Sequence, residues 1–312
     1  MKTLTTDVAV IGAGTAGMSA WRAARAHTPH VLLIERAQYG TTCARVGCMP
    51  SKLLIAAADA AHTIEHAGVF GVQGGGLRID GEAVMARVRA ERDRFVGFVV
   101  EAVEGWPVEH RLMGHARFVG PQALQVQTAD GPVHVRAGRV VIATGSRPVL
   151  PAAWRSALGD RLIVNDDVFD WHTLPRAVAV VGAGVIGLEL AQALHRLGVR
   201  VRLYGRSARL GPLTDPALQQ VAAEVFGRGL PLQRDAQHLQ VSRDGDQVRV
   251  HTVDGAGTAH DERFDFLLAA TGRRANVDDI GLELSGLVRD AAGVPVYDRR
   301  TGQAGDSPVF IA

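Results

Sequence analysis

Short apolar runs, each followed by glycines and then by an amphipathic stretch, recur along the chain and predict strands followed by helices. Asp7–Ile11 leads into a glycine-rich turn and a helical stretch over Met18–Ala26. The next apolar run is Val31–Ile34, with Glu35 at its end. Continuous apolar runs of this length are typical of strands buried on both faces of a parallel sheet. This first segment is therefore predicted to be a β-α-β unit.

The same pattern returns in the second half of the chain. Ala177–Val181 precedes a second glycine-rich turn, a helix through Leu197 and a strand over residues 199–204. Two further apolar strands, over residues 139–143 and 264–269, each run into an Ala-Thr-Gly segment. Two such units in one chain predict two sites for dinucleotides, one passing electrons to the other.

The remaining segments fill in the organisation. Residues 51–68 and 81–105 have the spacing of helices, and residues 111–136 alternate between short runs and turns like a β-meander. The predicted fold class is α/β, with two Rossmann-like three-layer domains. We expect a first domain over residues 1–149, a second over 150–272 and a return segment to the first over 273–312, with crossings at tight turns near 147–151 and 272–276.

The glycines of the first turn fit a dinucleotide-binding fingerprint. Gly12 is placed for the tight turn, Gly14 for close approach of a pyrophosphate, and Gly17 for packing of helix against strand. Glu35 stands where a carboxylate accepts from a ribose hydroxyl. The alternative is a decayed Rossmann unit that binds nothing.

The second turn repeats these glycines as Gly182, Gly184 and Gly187, but the acid is missing. The offset of Glu35 from Gly12 lands on Gly205 in the second unit, and arginines follow at 206 and 209. Arginine favours the 2′-phosphate of NADPH, whereas a carboxylate there favours NADH. We therefore expect NADPH at the second site, with NADH possible. The alternative is that Arg206 and Arg209 are solvated surface charges and that the site does not discriminate.

Cys43 and Cys48 are the only cysteines in 312 residues, and Pro50 follows them as a residue suited to the first turn of a helix. Cys48 would then lie at a helix N-terminus, which favours a thiolate. The pattern favours a redox-active pair. Buried structural cysteines, a structural disulfide or a zinc site are the alternatives, and zinc lacks a second pair of ligands. No metal site is predicted.

Composition narrows the function classes. Hydrophobic residues make up 47% of the chain and the net charge is +2, which gives no reason to expect a nucleic-acid or membrane partner. No signal peptide or apolar run of membrane-spanning length is evident, so a reducing, cytoplasmic location is expected.

Together these residues resemble the class I pyridine nucleotide–disulfide oxidoreductases, most closely the dihydrolipoyl dehydrogenases, over essentially the whole chain. The resemblance implies FAD in the first domain, a nicotinamide dinucleotide in the second, and electron flow between NADPH, FAD and a Cys43–Cys48 disulfide. It implies that Cys48 is the thiol nearer the flavin and that Cys43 exchanges with a small dithiol, disulfide or lipoyl substrate.

The resemblance also assigns the other site residues. Lys52 would face the flavin one turn after Cys48, and Glu189 would pair with Lys52 across the domain interface. The implied cofactor-binding residues are Gly12, Ala13, Gly14, Thr15, Ala16, Gly17, Glu35, Arg36, Thr42, Cys43, Gly47, Lys52, His115, Ala116, Ala143, Thr144, Gly145, Ser146, Gly182, Gly184, Val185, Ile186, Gly187, Glu189, Arg206, Arg209, Ala270, Thr271, Gly272 and Arg273.

Some features depart from the family pattern. Thr41 stands where the family usually has a second glycine, so we expect a loop conformation compatible with a Cβ. Arg45 adds a positive charge beside the cysteines. The chain stops at Ala312, where the family continues into a dimerisation domain whose partner subunit supplies a His-Glu acid–base pair; none of the 12 histidines is assigned that role. A homodimer is expected for a complete protein, and the chain as it stands is expected not to turn over.

Three alternatives to a dihydrolipoyl dehydrogenase-like enzyme stay open. A mercuric ion reductase shares almost the same N-terminal half, and a glutathione reductase would suit the NADPH preference. A non-catalytic flavoprotein module is disfavoured because Cys43, Cys48 and Lys52 are all present.

Overall fold

The computed structural model describes residues 2–73, 76–207 and 209–312. Its strands are β1 (Lys2–Ile11), β2 (Val31–Glu35), β3 (Arg111–Met113), β4 (His115–Gly120), β5 (Ala123–Thr128), β6 (Gly131–Ile142), β7 (Ser146–Pro148), β8 (Leu162–Ile163), β9 (Ala177–Val181), β10 (Arg200–Tyr204), β11 (Leu232–Gln233), β12 (Gln237–Asp244), β13 (Gln247–Val253), β14 (Ala259–Phe264), β15 (Phe266–Ala269), β16 (Arg273–Ala275) and β17 (Val309–Ile311). Its α-helices are α1 (Thr15–Arg25), α2 (Thr42–Val46), α3 (Cys48–His66), α4 (Gly81–Glu104), α5 (Ala152–Leu158), α6 (Asn165–Val168), α7 (Val185–Arg196) and α8 (Pro216–Gly229).

The chain forms two compact units, and each is built from separate stretches. The first comprises residues 1–44, 95–147 and 274–312, and the second comprises residues 45–94 and 148–273. Residues 45–94 therefore group with the second unit, whereas the sequence analysis placed them in the first domain. The reason is apolar packing between two helices, because Leu54 and Ala58 of α3 lie in one core cluster with Leu190 and Leu194 of α7.

The first unit is a seven-stranded sheet in the order β3-β2-β1-β6-β5-β4, with β17 also paired to β6. β1 is covered on both faces, because Ala9 and Ile11 belong to one buried cluster while Val8 and Val10 belong to another. Both clusters continue through the alternate side chains of β2. This two-sided burial explains why the run read as continuously apolar.

The second unit contains a parallel sheet in the order β11-β10-β9-β15-β8 and a separate antiparallel sheet, β12-β13-β14. All five residues of β9, Ala177–Val181, are buried. Helices α3 and α7 contribute to the core on one face of the parallel sheet, with Val178 and Val180, while Ala177, Ala179 and Val181 face a second cluster that includes Phe264 of β14.

Several predicted strands have different bounds in the structure, and two of the differences change how strands are joined. The last meander strand and the apolar run 139–143 form one continuous strand, β6, because β1 begins at Lys2 and pairs in parallel with β6 from Val133 to Ile142. Conversely, the predicted strand 264–269 is split at Asp265. The carboxylate of Asp265 accepts from the backbone N–H of Ala177 at 3.1 Å, where the chain passes from the antiparallel to the parallel sheet.

The predicted first helix, Met18–Ala26, instead runs over Thr15–Arg25. Its first hydrogen bond runs from the N–H of Met18 to the carbonyl of Gly14 at 2.9 Å. The helical backbone therefore begins three residues before its first bonded donor, as helices do. Among the described residues, no helix is long and apolar enough to cross a membrane.

Candidate functional site

Two glycines of the first turn are required by the backbone, whereas the third faces open space. Gly12 has φ +105°, a region that L side chains rarely adopt, and a Cβ on Gly17 would lie 1.8 Å from the Gly12 carbonyl oxygen. A Cβ on Gly14 would meet nothing within 4 Å. The amides of Thr15, Ala16 and Gly17 precede the first bonded donor of α1, so they point out of the helix start toward that space. Backbone donors at a helix N-terminus suit a pyrophosphate.

Glu35, at the end of β2, stabilises this turn through hydrogen bonds to the backbone. Its Oε2 accepts from the N–H of Ala13 at 2.8 Å and its Oε1 accepts from the N–H of Ala37 at 3.0 Å. A carboxylate has about four acceptor positions, so two remain for ribose hydroxyls. The side chain is therefore placed to serve both the turn and a sugar.

Asp279, which the sequence analysis missed, joins two predicted cofactor-binding residues. Its Oδ2 forms an ion pair with Arg36 and lies 3.7 Å from Nε2 of His115. Ala116 is buried next to His115 in β4. The first unit thus gathers Glu35, Arg36 and His115 around the carboxyl end of β2. No local pattern marks Asp279, which is 243 residues from Arg36 in sequence.

The first Ala-Thr-Gly segment is tied to the return segment by Asn276. The side chain of Asn276 donates to the carbonyl of Thr144 at 2.9 Å, and its backbone N–H donates to the carbonyl of Gly145 at 2.9 Å. Arg147 donates to the Asn276 side chain at 2.8 Å. Ala143 is buried against β1, while Ser146 begins β7. Asn276 therefore fixes the loop that carries four of the predicted cofactor-binding residues.

The second glycine turn has the same geometry. Gly182 has φ +118°, and a Cβ on Gly187 would lie 1.9 Å from the Gly182 carbonyl oxygen, whereas a Cβ on Gly184 would meet nothing within 4 Å. Val185 is exposed at the start of α7, and Ile186 packs against the core below it. The second turn is thus also open at its middle glycine.

The missing acid of the second turn is explained by the backbone around Gly205. A Cβ on Gly205 would lie 2.8 Å from the carbonyl oxygen of Arg234, and its N–H donates to the carbonyl of Gln233. The turn at Arg234 therefore leaves no room for a side chain at 205. Arg206 and Arg209 are exposed beside it, and Arg209 and Arg234 line one groove. Arg234 is a third cation that the sequence analysis did not single out.

The second Ala-Thr-Gly segment meets the chain that enters the second unit. Thr271 donates its hydroxyl to the carbonyl of Val149 at 2.7 Å, and the N–H of Val149 donates to the carbonyl of Gly272 at 3.0 Å. Ala270 packs against the core below the second glycine turn. These contacts place the segment at the carboxyl end of β15.

The two cysteines lie on consecutive short and long helices. Cys43 is half-buried in α2, next to Thr42, and Cys48 is exposed as the first residue of α3, after Gly47; both are thiols in this structure. Cys43 belongs to the first compact unit and Cys48 to the second. Cys48 thus stands at the start of a 19-residue helix, where its side chain is open to solvent.

Thr41 does not adopt the ordinary conformation that its Cβ was expected to require. It has φ +36°, in the left-handed region, and its side chain is buried. Its hydroxyl oxygen accepts from the N–H of Ala44 at 3.0 Å, which holds the first turn of α2. A non-glycine residue in this region costs on the order of 1–3 kcal/mol. The loop before Cys43 thus keeps a glycine-like backbone.

Lys52 and Glu189 form the predicted ion pair, with 2.7 Å between Nζ and Oε1. Both residues lie in the second compact unit, so the pair does not cross between the units. Ser51 adds a hydroxyl 3.4 Å from Oε2 of Glu189. Lys52 stands one helical turn after Cys48, so the packing of α3 on α7 orients a cation on the same face as the thiol.

A side chain that the sequence analysis missed binds the backbone just before Cys48. Buried Asn165 of α6 donates to the carbonyl of Val46 at 2.9 Å. Beside it, burial raises the pKa of Asp166, while the charges of Arg273 and Arg45 oppose that shift. Arg45 and Arg273 therefore share a carboxylate neighbour near the dithiol segment.

Comparisons with known proteins agree with this arrangement. Residues 6–312 match the family model described as pyridine nucleotide-disulphide oxidoreductase. The chain is 30% identical over 293 residues to a dihydrolipoyl dehydrogenase of Chlamydia trachomatis, covering 92% of this chain and 61% of the relative. It is 35% identical over 326 residues to a mercuric reductase of Shigella flexneri, covering 97% of this chain and 56% of the relative.

A solved structure shares the fold. The HOCl-induced flavoprotein disulfide reductase RclA from Escherichia coli superposes with a TM-score of 0.75 at 22% identity, covering 98% of this chain and 65% of RclA. The chain thus spans less than two thirds of each of these proteins. The two glycine turns and the closely spaced cysteines agree with this match. The match over residues 6–312 establishes that the chain belongs to the pyridine nucleotide-disulphide oxidoreductase family, whose members use FAD and NAD(P)H.

Proposed function

We propose that this chain is the nucleotide-binding and dithiol-bearing part of an NADPH-dependent flavoprotein disulfide oxidoreductase. The observation that carries the proposal is Cys48 at the start of α3, one turn before a lysine that is ion-paired to Glu189. Reactive cysteines sit in such surroundings: the thiol is exposed, stands at a helix start and has a cation one helical turn away. The two glycine turns supply a site for each dinucleotide.

The first unit fits FAD. Gly14 leaves the space that a pyrophosphate needs, the start of α1 offers backbone donors, and Glu35 retains acceptors for a ribose. Arg36 and His115 would lie on the adenosine side of that site. Bound there, FAD would supply the two-electron redox chemistry that links a nicotinamide to the cysteines.

The cysteines perform the exchange with substrate. We propose that the Cys43 thiolate attacks one sulfur of a substrate disulfide, and that the displaced sulfur leaves as a thiolate and takes up a proton. Cys48 then attacks Cys43 in the mixed disulfide, which releases the second substrate thiol and forms the Cys43–Cys48 disulfide. Two thiols of the protein are oxidised and one substrate disulfide is reduced, and the reverse direction oxidises a dithiol.

Lys52 and Glu189 support this chemistry as a pair. The ammonium group of Lys52 stabilises negative charge on the Cys48 thiolate, and Glu189 holds the ammonium in place at 2.7 Å. Because both groups are partly exposed, the pair adds only about 0–1 kcal/mol to stability. Its role is therefore to orient a charge.

The second unit favours NADPH in this proposal. Arg206 follows β10 directly, Arg209 and Arg234 line one groove, and the backbone of Arg234 excludes a side chain at Gly205. The end of this strand is where a Rossmann unit binds the adenosine ribose. An arginine that contacts a 2′-phosphate makes charge-assisted hydrogen bonds. We expect Arg206→Ala to raise the Kd for NADPH at least about tenfold, which is about 1.4 kcal/mol, and to leave the Kd for NADH nearly unchanged.

For the substrate, we propose a small dithiol or disulfide, as in a dihydrolipoyl dehydrogenase-like enzyme. A mercuric ion is the second candidate, because the 35% identical relative is a mercuric reductase. A glutathione reductase-like enzyme and a non-catalytic flavoprotein are weaker alternatives. We further propose a cytoplasmic homodimer for the whole protein, since reduced thiols suit that compartment.

The test is a thiol count under anaerobic conditions. The oxidised chain is loaded with FAD, titrated with NADPH or NADH, and then quenched with a thiol reagent. We expect two additional thiols per chain, appearing at a lower concentration of NADPH than of NADH. Cys43→Ser should yield no additional thiols, while Lys52→Met should slow their appearance. Bound FAD that is reduced without any new thiols would contradict the proposed disulfide chemistry.

A further inference from the structure

The last two turns of α3 carry a cluster of metal-ligating side chains that the site above does not use. His62, Glu65 and His66 occupy positions i, i+3 and i+4, so the helix places all three on one face. One nitrogen or oxygen atom from each lies within 4.8 Å of the others. Among the described residues, no other group of three or more histidine, cysteine or carboxylate side chains meets that limit.

The ring of His66 is held by a hydrogen bond to the backbone. Nδ1 of His66 lies 2.9 Å from the backbone carbonyl of His62. A carbonyl only accepts, so Nδ1 carries the proton of a neutral His66 ring and Nε2 carries the lone pair. Metal-binding histidines usually donate their second nitrogen to such a carbonyl, which fixes the tautomer and the ring. The ring centroids of His62 and His66 are 4.0 Å apart.

The charges around the cluster also suit a cation. Glu65 contributes one negative charge, and the carbonyls at the C-terminal end of a 19-residue helix contribute a partial one. Arg196, whose charge acts on His62, forms an ion pair with Asp59 at 2.6 Å, and that carboxylate offsets its charge. Glu65 and His66 are exposed and His62 is half-buried, so an ion reaches the cluster directly from solvent.

We propose that His62, Glu65 and His66 bind a divalent cation of the zinc and copper class. Two imidazoles and one carboxylate suit those ions and leave a fourth position for water. Metal bonds of about 2.1 Å place tetrahedral ligands roughly 3.4 Å apart, which exposed side chains reach by small rotamer changes. The site begins 14 residues after Cys48, or about 21 Å along the helix, and is thus separate from the dithiol.

The test is a zinc titration of the full chain by calorimetry. Both cysteines are first changed to serine, so that no thiolate competes for the metal. This parent is expected to bind one zinc ion per chain. His62→Gln and His66→Gln should each bind at least about tenfold more weakly, because even changes outside the ligand set cost roughly 10–100-fold. His172→Gln, which changes another exposed histidine of the same unit, should bind zinc like the parent.

Spectroscopy distinguishes the loss of a metal ligand from misfolding of a variant. X-ray absorption of the zinc-loaded parent should show two imidazole nitrogens at about 2.0 Å and oxygen ligands, and Glu65→Gln should weaken binding with unchanged circular dichroism. The proposal is overturned if the parent binds no zinc, if both histidine variants bind as tightly as the parent, or if the absorption spectrum lacks imidazole. None of these outcomes depends on the oxidoreductase activity, so the two proposals fail separately.

Discussion

Gly17 and Gly14 belong to the same fingerprint, but the structure predicts opposite consequences for an added methyl group. At Gly17 the Cβ would lie 1.8 Å from a backbone carbonyl, which is 1.2 Å inside the 3.0 Å limit that real Cβ atoms keep. Overpacking costs about 1–3 kcal/mol, and more when backbone must move. Alanine in a helix regains only about 1 kcal/mol over glycine. Because the overlap is deep and lies against backbone, we take the upper end of that cost, about 3 kcal/mol, and expect Gly17→Ala to destabilise the first unit by about 2 kcal/mol.

Gly14→Ala should leave the fold almost unchanged. The residue has φ −75°, its Cβ would meet nothing within 4 Å, and it caps α1. Loss of a glycine cap costs up to about 1 kcal/mol, whereas the stiffer unfolded chain returns about 0.4–1 kcal/mol. The methyl group would instead occupy the space left for the pyrophosphate. We expect FAD affinity to fall at least about tenfold, or about 1.4 kcal/mol.

The assay must read the two units separately, because a chain with two units need not unfold in one step. Hydrogen exchange of the β1 and α1 amides, followed by mass spectrometry of the cofactor-free chain, reports the first unit. Gly97→Ala is the matched control: Gly97 lies inside α4, a Cβ there would meet nothing within 4 Å, and alanine should slightly stabilise it. If Gly17→Ala exchanges like the unmodified protein, or if Gly14→Ala exchanges as fast as Gly17→Ala, the distinction between packing and ligand glycines is refuted.

Three other predictions concern the dithiol segment. Lys52→Met and Glu189→Gln should each slow reduction of the disulfide in stopped-flow thiol measurements while changing stability by less than about 1 kcal/mol; unchanged rates would exclude an electrostatic role. Asn165→Ala leaves the carbonyl of Val46 without its donor and should cost about 1–3 kcal/mol, with faster hydrogen exchange over residues 45–48; equal exchange would contradict that role. Burial raises the pKa of Asp166 above the value of about 3.9 that the carboxyl has in the unfolded chain. The folded state therefore holds the carboxyl proton more tightly, and the free energy of unfolding falls as the pH rises through the folded pKa. Asp166→Asn removes that loss, and its urea midpoint should exceed that of the unmodified protein increasingly as pH rises from about 4; parallel pH profiles would count against the shift.

Features governed by neighbours in sequence could be predicted from the sequence. The two glycine turns are examples, because the needs of Gly12 and Gly182 for positive φ arise within a few residues. The strand-helix-strand order around them followed for the same reason. The pairing of Lys52 with Glu189 was also predicted, but only through resemblance to a family.

Features governed by distant contacts could not be predicted. Asp279, Asn276 and Asn165 bind partners 243, 132 and 119 residues away, respectively, and no periodic pattern marks them. Similarly, the union of two predicted strands into β6 depends on how far β1 extends beside it, which sequence alternation does not reveal. Packing of α3 on α7 likewise decided to which unit residues 45–94 belong.

The crowding at Gly205 limits how coenzyme preference can change. In a Rossmann unit the acid that selects NADH stands near the end of the second strand. Here any side chain at 205 must first displace the carbonyl of Arg234, 2.8 Å from its Cβ. If the proposed preference for NADPH holds, an acid at residue 205 requires the 233–236 turn to be rebuilt as well, so variants selected one substitution at a time would first pass through a destabilised intermediate.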